Sequence, residues 1–587
     1  MMKSSLDEFV FVIDRLISRL DDLESRVAAL EHPVQPHKVT GTTTTATFAS
    51  LAATAAKPTA IATPQTHPLA QLSRSSNPMP VIGKVFLGIA GAYLLRALAE
   101  SGSLPMWAVA GVAMLYAGAW LLAAARTVSP PIFASASYAT TAAVILPPML
   151  WELTLRFKVM PAWAAATALV VFVGLASALA WKQKLAAVVV PPVAFSAVAA
   201  LALLVGTHDP FPFVTALLLM ASIAEAAAST DRWPGLRPLV AIPLDLAVLT
   251  LVLIYTGSNG VPPEYKPLAE ASLLELFAAL PVIYVASLLS RTLALRRPIS
   301  VFEAGQMTAA LLLAGFGILR TTHNSAAIGL GVFCLVAAAG CYWLAYSRFE
   351  GAAFRRSYHV FSTWAVALAL AGSLLCLPAT VNVFFLGAAA IAATLIGVLS
   401  ERIALAFHGA VYLAVVALIS GSLQYGFELS IGNPPQAGGW LVWAAFAFTI
   451  ICYAWGCALA RHSADAQEQR WPHGVLRLAL AAFVTFAVLA TVLTAFHIAF
   501  PAATAAQMAA GRTLVICLLA VLLGWSGSCF RRNELLWLAY AAIVFCTLKL
   551  LVEDLRSGSA VTIAFSFFCY GMVWVLVPRF SRKSKNN

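Results

Sequence analysis

Charge is scarce in this chain. Only 11% of its 587 residues are Asp, Glu, Lys or Arg, against about a quarter in a soluble globular protein. Hydrophobic residues make up 61%, and mean hydropathy is +0.85. A water-facing domain of this length has too little interior to hide so much apolar surface, which excludes an ordinary soluble fold. The motifs that soluble catalysts carry on loops are also missing: no Walker loop, dinucleotide fingerprint, HExxH or GxSxG occurs. The nine cysteines form no CxxC pair and lie in or beside apolar runs. Neither a metal site nor a disulfide framework is expected, and no cofactor is implied. The first thirty residues hold Asp7, Glu8 and Asp14 where a signal peptide needs basic charge, so none is expected there.

What remains is a series of continuous apolar stretches of roughly 20 residues, the length that crosses a bilayer as a helix. A membrane barrel would show short alternating segments instead. The expected fold is an all-α polytopic membrane protein with about eighteen transmembrane helices, preceded by an N-terminal coiled-coil helix and a disordered linker. The coiled coil covers residues 1–31, the Pro/Ala/Thr linker 32–78, the transmembrane domain 79–578 and a basic tail 579–587. Within the coiled coil, Leu6, Phe9, Ile13, Leu16, Leu20, Leu23, Val27 and Leu30 recur at alternating spacings of three and four. That stripe suits self-association or a cytoplasmic partner docking on residues 6–30; a lone amphipathic helix on the membrane surface is the alternative.

The formal charge of +12 does not point to nucleic acid, because the basic residues sit between apolar runs, where they set orientation and the partner is membrane lipid. With the N-terminus inside, the inner loops and tail hold twenty-one Lys and Arg and the outer loops six. Both termini are therefore expected in the cytoplasm. The segment Arg232-Trp233-Pro234-Gly235-Leu236-Arg237 recurs 238 residues later as Arg470-Trp471-Pro472-His473-Gly474-Val475-Leu476-Arg477. Cys-Tyr pairs at 341, 452 and 569 recur at similar intervals. These suggest a helix pair at 79–126 followed by four parallel four-helix repeats at about 131–229, 238–347, 358–460 and 474–578.

Ionisable side chains within hydrocarbon are the natural candidates for function. Asp245 stands mid-span beside Pro243, where an acid costs about 2.5–3.5 kcal/mol to insert. Glu225 and Glu275 each stand about one turn from a span end, where hydration or snorkelling is open to them. These three are the candidate binding residues. Lys84 and Arg96 near the ends of the first span, and Lys549 with Glu553 one turn on, read as interface or ion-pair residues. His408 reads as a satisfied core histidine. Pro147-Pro148 and Pro191-Pro192 interrupt two spans, and discontinuous helices line binding sites in transporters.

The first span reads Ile82-Gly83-Lys84-Val85-Phe86-Leu87-Gly88 and continues to Leu94-Leu95-Arg96-Ala97-Leu98-Ala99-Glu100-Ser101-Gly102. With the N-terminal helix, the linker and the long array of Ala/Leu-rich spans, it resembles the bacterial membrane protein family called domain of unknown function 2339. The resemblance implies a bacterial inner membrane and no established activity. Three functions stay open: a transporter or channel-like protein using Asp245; a membrane scaffold using the coiled coil; and an enzyme on a lipid-linked substrate using Glu275, Glu428 or Glu553-Asp554.

Overall fold

The computed structural model describes residues 79–101, 105–126, 132–181, 185–257, 260–349, 354–400, 402–432, 439–459, 470–530 and 532–586. The expected coiled coil and linker lie outside the described residues. Among the described residues every regular element is helical. Helices α1 to α6 are Met79–Glu100, Met106–Arg126, Ile132–Trp151, Ala162–Trp181, Ala186–Thr207 and Pro210–Ser229. Next come α7 Leu236–Tyr255, α8 Glu270–Leu289, α9 Val301–Thr321, α10 Ala327–Arg348, α11 Arg355–Cys376, α12 Ala379–Leu399 and α13 Ile403–Ile419. The chain ends with α14 Ser422–Ile431, α15 Trp440–Leu459, α16 Arg470–Ala499, α17 Ala505–Cys529, α18 Asn533–Lys549 and α19 Ala560–Asn586.

Ala- and Leu-rich runs take this form because hydrocarbon offers the backbone no partner, so each N–H and C=O must pair within its own segment. Among the described residues fifteen helices are long and apolar enough to cross a membrane, or sixteen if a bent pair is one span. The expected eighteen also counts Met79–Glu100 and Trp440–Leu459, which stand at the first and fourteenth expected positions. The outward surface is apolar, with Leu115, Leu253, Val301 and Leu312 exposed. A water-soluble bundle would carry its charges there; here the outer solvent is lipid.

Lipid is as apolar as leucine, so tight contact between helices comes from small residues and close packing. The largest core runs through α2 to α9, where Ala117, Ala124, Ala139, Ala176, Ala197 and Ala221 leave room for Phe213 and Phe277. Later helices form smaller cores around Leu413, Ile543 and Phe446. Helices α10 and α11 approach most closely at Gly331 and Gly372. A Cβ on Gly331 would stand 2.9 Å from the Gly372 carbonyl oxygen, and one on Gly372 would stand 2.7 Å from that of Gly331.

Several local expectations change. The proline pairs do not break their helices: α3 runs through Pro147-Pro148 and α5 through Pro191-Pro192. The bend of 65° falls instead between α13 and α14, at Gly421, whose φ of 72° suits a residue without a Cβ. Past the bend the chain continues as helix α14. Tyr425 and Leu429 hold it by packing on Val442, Phe446 and Leu493. The last helix carries the basic tail to Asn586. The two Arg-Trp-Pro segments differ locally, since the first lies in a turn before α7 and the second opens α16 as helix.

Candidate functional site

Four helices, α6 to α9, meet around a file of polar side chains that starts at one end of the bundle and stops midway along α7. Arg237, in the first turn of α7, grips Glu225 of α6 with two parallel bonds: Nε to Oε1 at 2.8 Å and Nη2 to Oε2 at 2.6 Å. Its remaining nitrogen, Nη1, donates to Glu303 Oε1 of α9 at 2.9 Å. The planar guanidinium suits this fork geometry, where a lysine would not. Ser287 of α8 donates to the Oε2 oxygen of Glu225 at 2.5 Å. Arg291 pairs with Glu303 at 2.9 Å. The side chains of Arg237, Glu225 and Glu303 are 5%, 5% and 3% exposed, so water contributes little to holding their charges.

Local sequence sets these positions. Ser300 and Glu303 form a capping box at the start of α9, the Ser300 hydroxyl accepting from the Glu303 N–H and the Glu303 carboxylate accepting from the Ser300 N–H. The cap holds one Glu303 oxygen, leaving the other to face Arg237 and Arg291. Beyond the end of α8 the chain makes a π-helical turn, Ser290–Ala294, and Arg291 is its basic residue. Such turns occur often at functional sites. Arg237 also lies over the ring of Phe302 at 5.3 Å, which fills the space beside the guanidinium.

The file continues inward. Asp245 stands eight residues beyond Arg237, about 12 Å deeper at the helical rise. Gln306, one turn past Glu303, donates from Nε2 to both carboxylate oxygens of Asp245 at 3.0 Å. Between the two groups lies Tyr284 of α8, near enough to feel the charges of Asp245, Glu225 and Arg237. Its buried hydroxyl makes no well-formed hydrogen bond among the described residues. Two guanidiniums balance two carboxylates at the charged end of the file. Asp245 is in excess, and its hydrogen-bond partner is a neutral amide. Past Asp245 the helix is apolar except for Thr250 until Tyr255.

The sequence singled out Asp245 and Glu225, and the fold brings both to one junction. Glu225 differs from the expectation of hydration or snorkelling: it is 4% exposed, because Arg237 and Ser287 satisfy it inside the bundle. Arg237, Arg291, Glu303, Gln306, Tyr284 and Ser287 were not among the candidates. The first two read as loop charges, and only the Ser300-to-Glu303 spacing hinted that an acid would be held at a helix start.

Other candidates lie apart. Glu275 is on the exposed surface of α8 and Lys84 on that of α1. Arg96 bridges Glu100 at 3.3 Å and Glu152 at 3.0 Å, and Arg156 joins Glu100 at 2.9 Å. Lys549 is 1% exposed. It pairs with Glu553 at 3.1 Å and Asp554 at 2.6 Å, and it donates to Thr513 at 2.8 Å and the Ala509 carbonyl at 2.9 Å. Arg512 closes that group onto Glu553. The Glu553-Asp554 pair is therefore engaged by cations, and Glu428 accepts from Gln424 at 2.8 Å. His408 is 9% exposed and contacts the Tyr342 hydroxyl at 3.2 Å, which in turn bonds that of Tyr412 at 2.9 Å. Among the described residues no three His, Cys, Asp or Glu converge as metal ligands.

Comparison with known protein families, curated proteins and solved structures found no match to this chain. What its residues do must be argued from their own chemistry. The fold and the site together define the class: a polytopic helical membrane protein with a buried ionic junction among four of its spans.

Proposed function

We propose that the chain is a membrane transporter coupled to a proton or small cation, with Asp245 as the coupling group. One observation carries this reading: a file of polar side chains leads from a charged end of the bundle to a carboxylate midway along α7 that has no cationic partner among the described residues. A structural acid in hydrocarbon gains most from a balancing charge, as Glu225, Glu303 and Asp554 each have. Among the described residues Asp245 has only the Gln306 amide, which suits a group that exchanges its proton or cation during a cycle. Ser287, Tyr284 and Gln306 supply the hydroxyls and amide along the way. The apolar stretch from Leu246 toward Ile254 would act as the barrier on the other side, opened when spans rock against each other.

Orientation belongs to the same reading. The charged end of the junction also carries Arg232, Arg297 and Arg348, and the positive-inside rule favours the cytoplasmic side for such an end. Membership of the family called domain of unknown function 2339 is proposed on the first span.

The test is flux in liposomes reconstituted with the full chain, using a pH-sensitive dye and imposed proton, Na+ and K+ gradients. Wild type is expected to dissipate at least one gradient. Asp245→Asn keeps the shape and the Gln306 contact, so it should insert and melt like wild type yet carry no flux. Undiminished flux in that variant would remove Asp245 from the mechanism.

A further inference from the structure

The arginines at the charged end are not equivalent. Arg237 and Arg291 pair with Glu225 and Glu303, Arg297 pairs with Asp231, and Arg232 lies over Trp181 and donates to its carbonyl. Arg296 and Arg348 differ: among the described residues neither has a carboxylate partner. Both line one cleft of about 380 Å³ between the turn that follows α8 and the final turn of α10. Thr292, Ser347 and Trp343 line it too. The backbone places Arg296 there by a left-handed turn, with φ of 49°. The π-helical turn just before it hands its carbonyls to Leu295 and Arg297, which donate to the Ser290 and Arg291 oxygens at 3.1 Å.

We infer that this cleft holds the phosphate of an anionic phospholipid headgroup. Two guanidiniums facing one space without a carboxylate between them attract a compact dianion or phosphodiester, and arginine's fork matches phosphate oxygens. The Thr292 and Ser347 hydroxyls donate to the carbonyls of Leu288 and Trp343, so the bonds to phosphate fall to the two guanidiniums. Trp343, 61% exposed one turn inward, offers an indole at the depth where aromatic residues meet the glycerol and upper acyl region. Leu293, also exposed, continues that apolar side. Cation above, indole and leucine below is the order of an amphiphile standing in a leaflet. A soluble phosphate would use only the upper half. Basic pockets between spans are known lipid headgroup sites.

The shared chemistry is a phosphate oxyanion, and the experiment separates its sources. Full-length protein in a neutral detergent is titrated with a short-chain phosphatidylglycerol, with the matching phosphatidylcholine, and with inorganic phosphate. Bound lipid is read by native mass spectrometry. Two surface arginines at about 1 kcal/mol each correspond to roughly thirty-fold in affinity. The variant Arg296→Gln/Arg348→Gln is expected to lose about that factor for phosphatidylglycerol and much less for phosphatidylcholine, whose choline cation already balances the same phosphate. Arg355→Gln/Arg356→Gln removes the same charge from exposed positions on α11 outside the cleft and should bind like wild type. Both pairs are exposed, and matched melting curves check the fold. Equal weakening by the two double variants would reduce the effect to general surface charge and overturn the site. Displacement of the lipid by millimolar inorganic phosphate would reassign the cleft to a soluble anion and overturn the lipid reading. The result does not depend on Asp245 or on flux.

Discussion

Replacing Arg237 with methionine removes the cation that three bonds converge on. Methionine has similar length and no charge, so the cavity left is small and the effect is electrostatic. Glu225 would keep only the Ser287 hydroxyl, and Glu303 would keep Arg291 and its cap. The site loses one positive charge while two carboxylates remain, at 5% and 3% exposure. Breaking a buried pair by removing one member costs about 3–5 kcal/mol, mostly because the survivor is stranded. That mechanism has a signature. Adding Glu225→Gln to Arg237→Met leaves the neutral pair Arg291 and Glu303, and the amide oxygen introduced on α6 can still accept from Ser287. The double variant should therefore be more stable than Arg237→Met alone. The coupling between the two sites should exceed roughly 1 kcal/mol, within the range measured for residues in one network. Arg237→Lys keeps the charge but not the fork, so it should fall between methionine and wild type. The assay is denaturant unfolding in mixed micelles, followed by tryptophan fluorescence. Additive losses in the double variant, or an Arg237→Met within about 1 kcal/mol of wild type, would refute the claim that ion pairing holds this junction.

Two other perturbations probe the packing. Gly331→Leu puts a side chain where a Cβ alone would stand 2.9 Å from a facing carbonyl oxygen, so α10 and α11 must separate; overpacking of this kind costs about 1–3 kcal/mol, seen as a lowered melting midpoint, and an unchanged midpoint would deny the close approach. Lys549→Met strands Asp554, which is 2% exposed, and should cost about 3–5 kcal/mol, with Asp554→Asn in the same chain restoring part of it; a harmless Lys549→Met would mean the lysine is hydrated.

Much of the architecture was legible because it rests on composition. An 11% charge content and apolar runs of span length require a lipid solvent, and a lipid solvent requires helices. Asp245 was legible for the same reason: an acid in the middle of such a run is expensive wherever the helix turns. The bend between α13 and α14 was not. Proline pairs looked like the natural interruption, yet α3 and α5 continue through theirs, and the bend sits at Gly421 in a serine-flanked segment of no special composition. Proline removes one backbone bond and tilts a helix without ending it when neighbours re-satisfy the freed carbonyl. The left-handed φ of Gly421 turns the path by 65°, and a single glycine among thirty-five does not announce that.

By itself the sequence determined the solvent, the secondary structure, the approximate number of crossings and the presence of a costly carboxylate in one of them. Tertiary structure alone decided which charges meet. Arg237, Glu303 and Arg291 read as loop or cap residues until four helices bring them to Glu225, and Gln306 is an unremarked amide until α9 lies against α7. The reason is physical. In water, an amphipathic pattern tells each helix which face to bury. In lipid, both faces are apolar, so the face that packs is chosen by small-residue contact and by the few polar groups that must find one another across helices. Those partners are sixty or more residues apart in the chain, at Glu225 with Ser287, Arg237 with Glu303 and Asp245 with Gln306, and no local spacing records them.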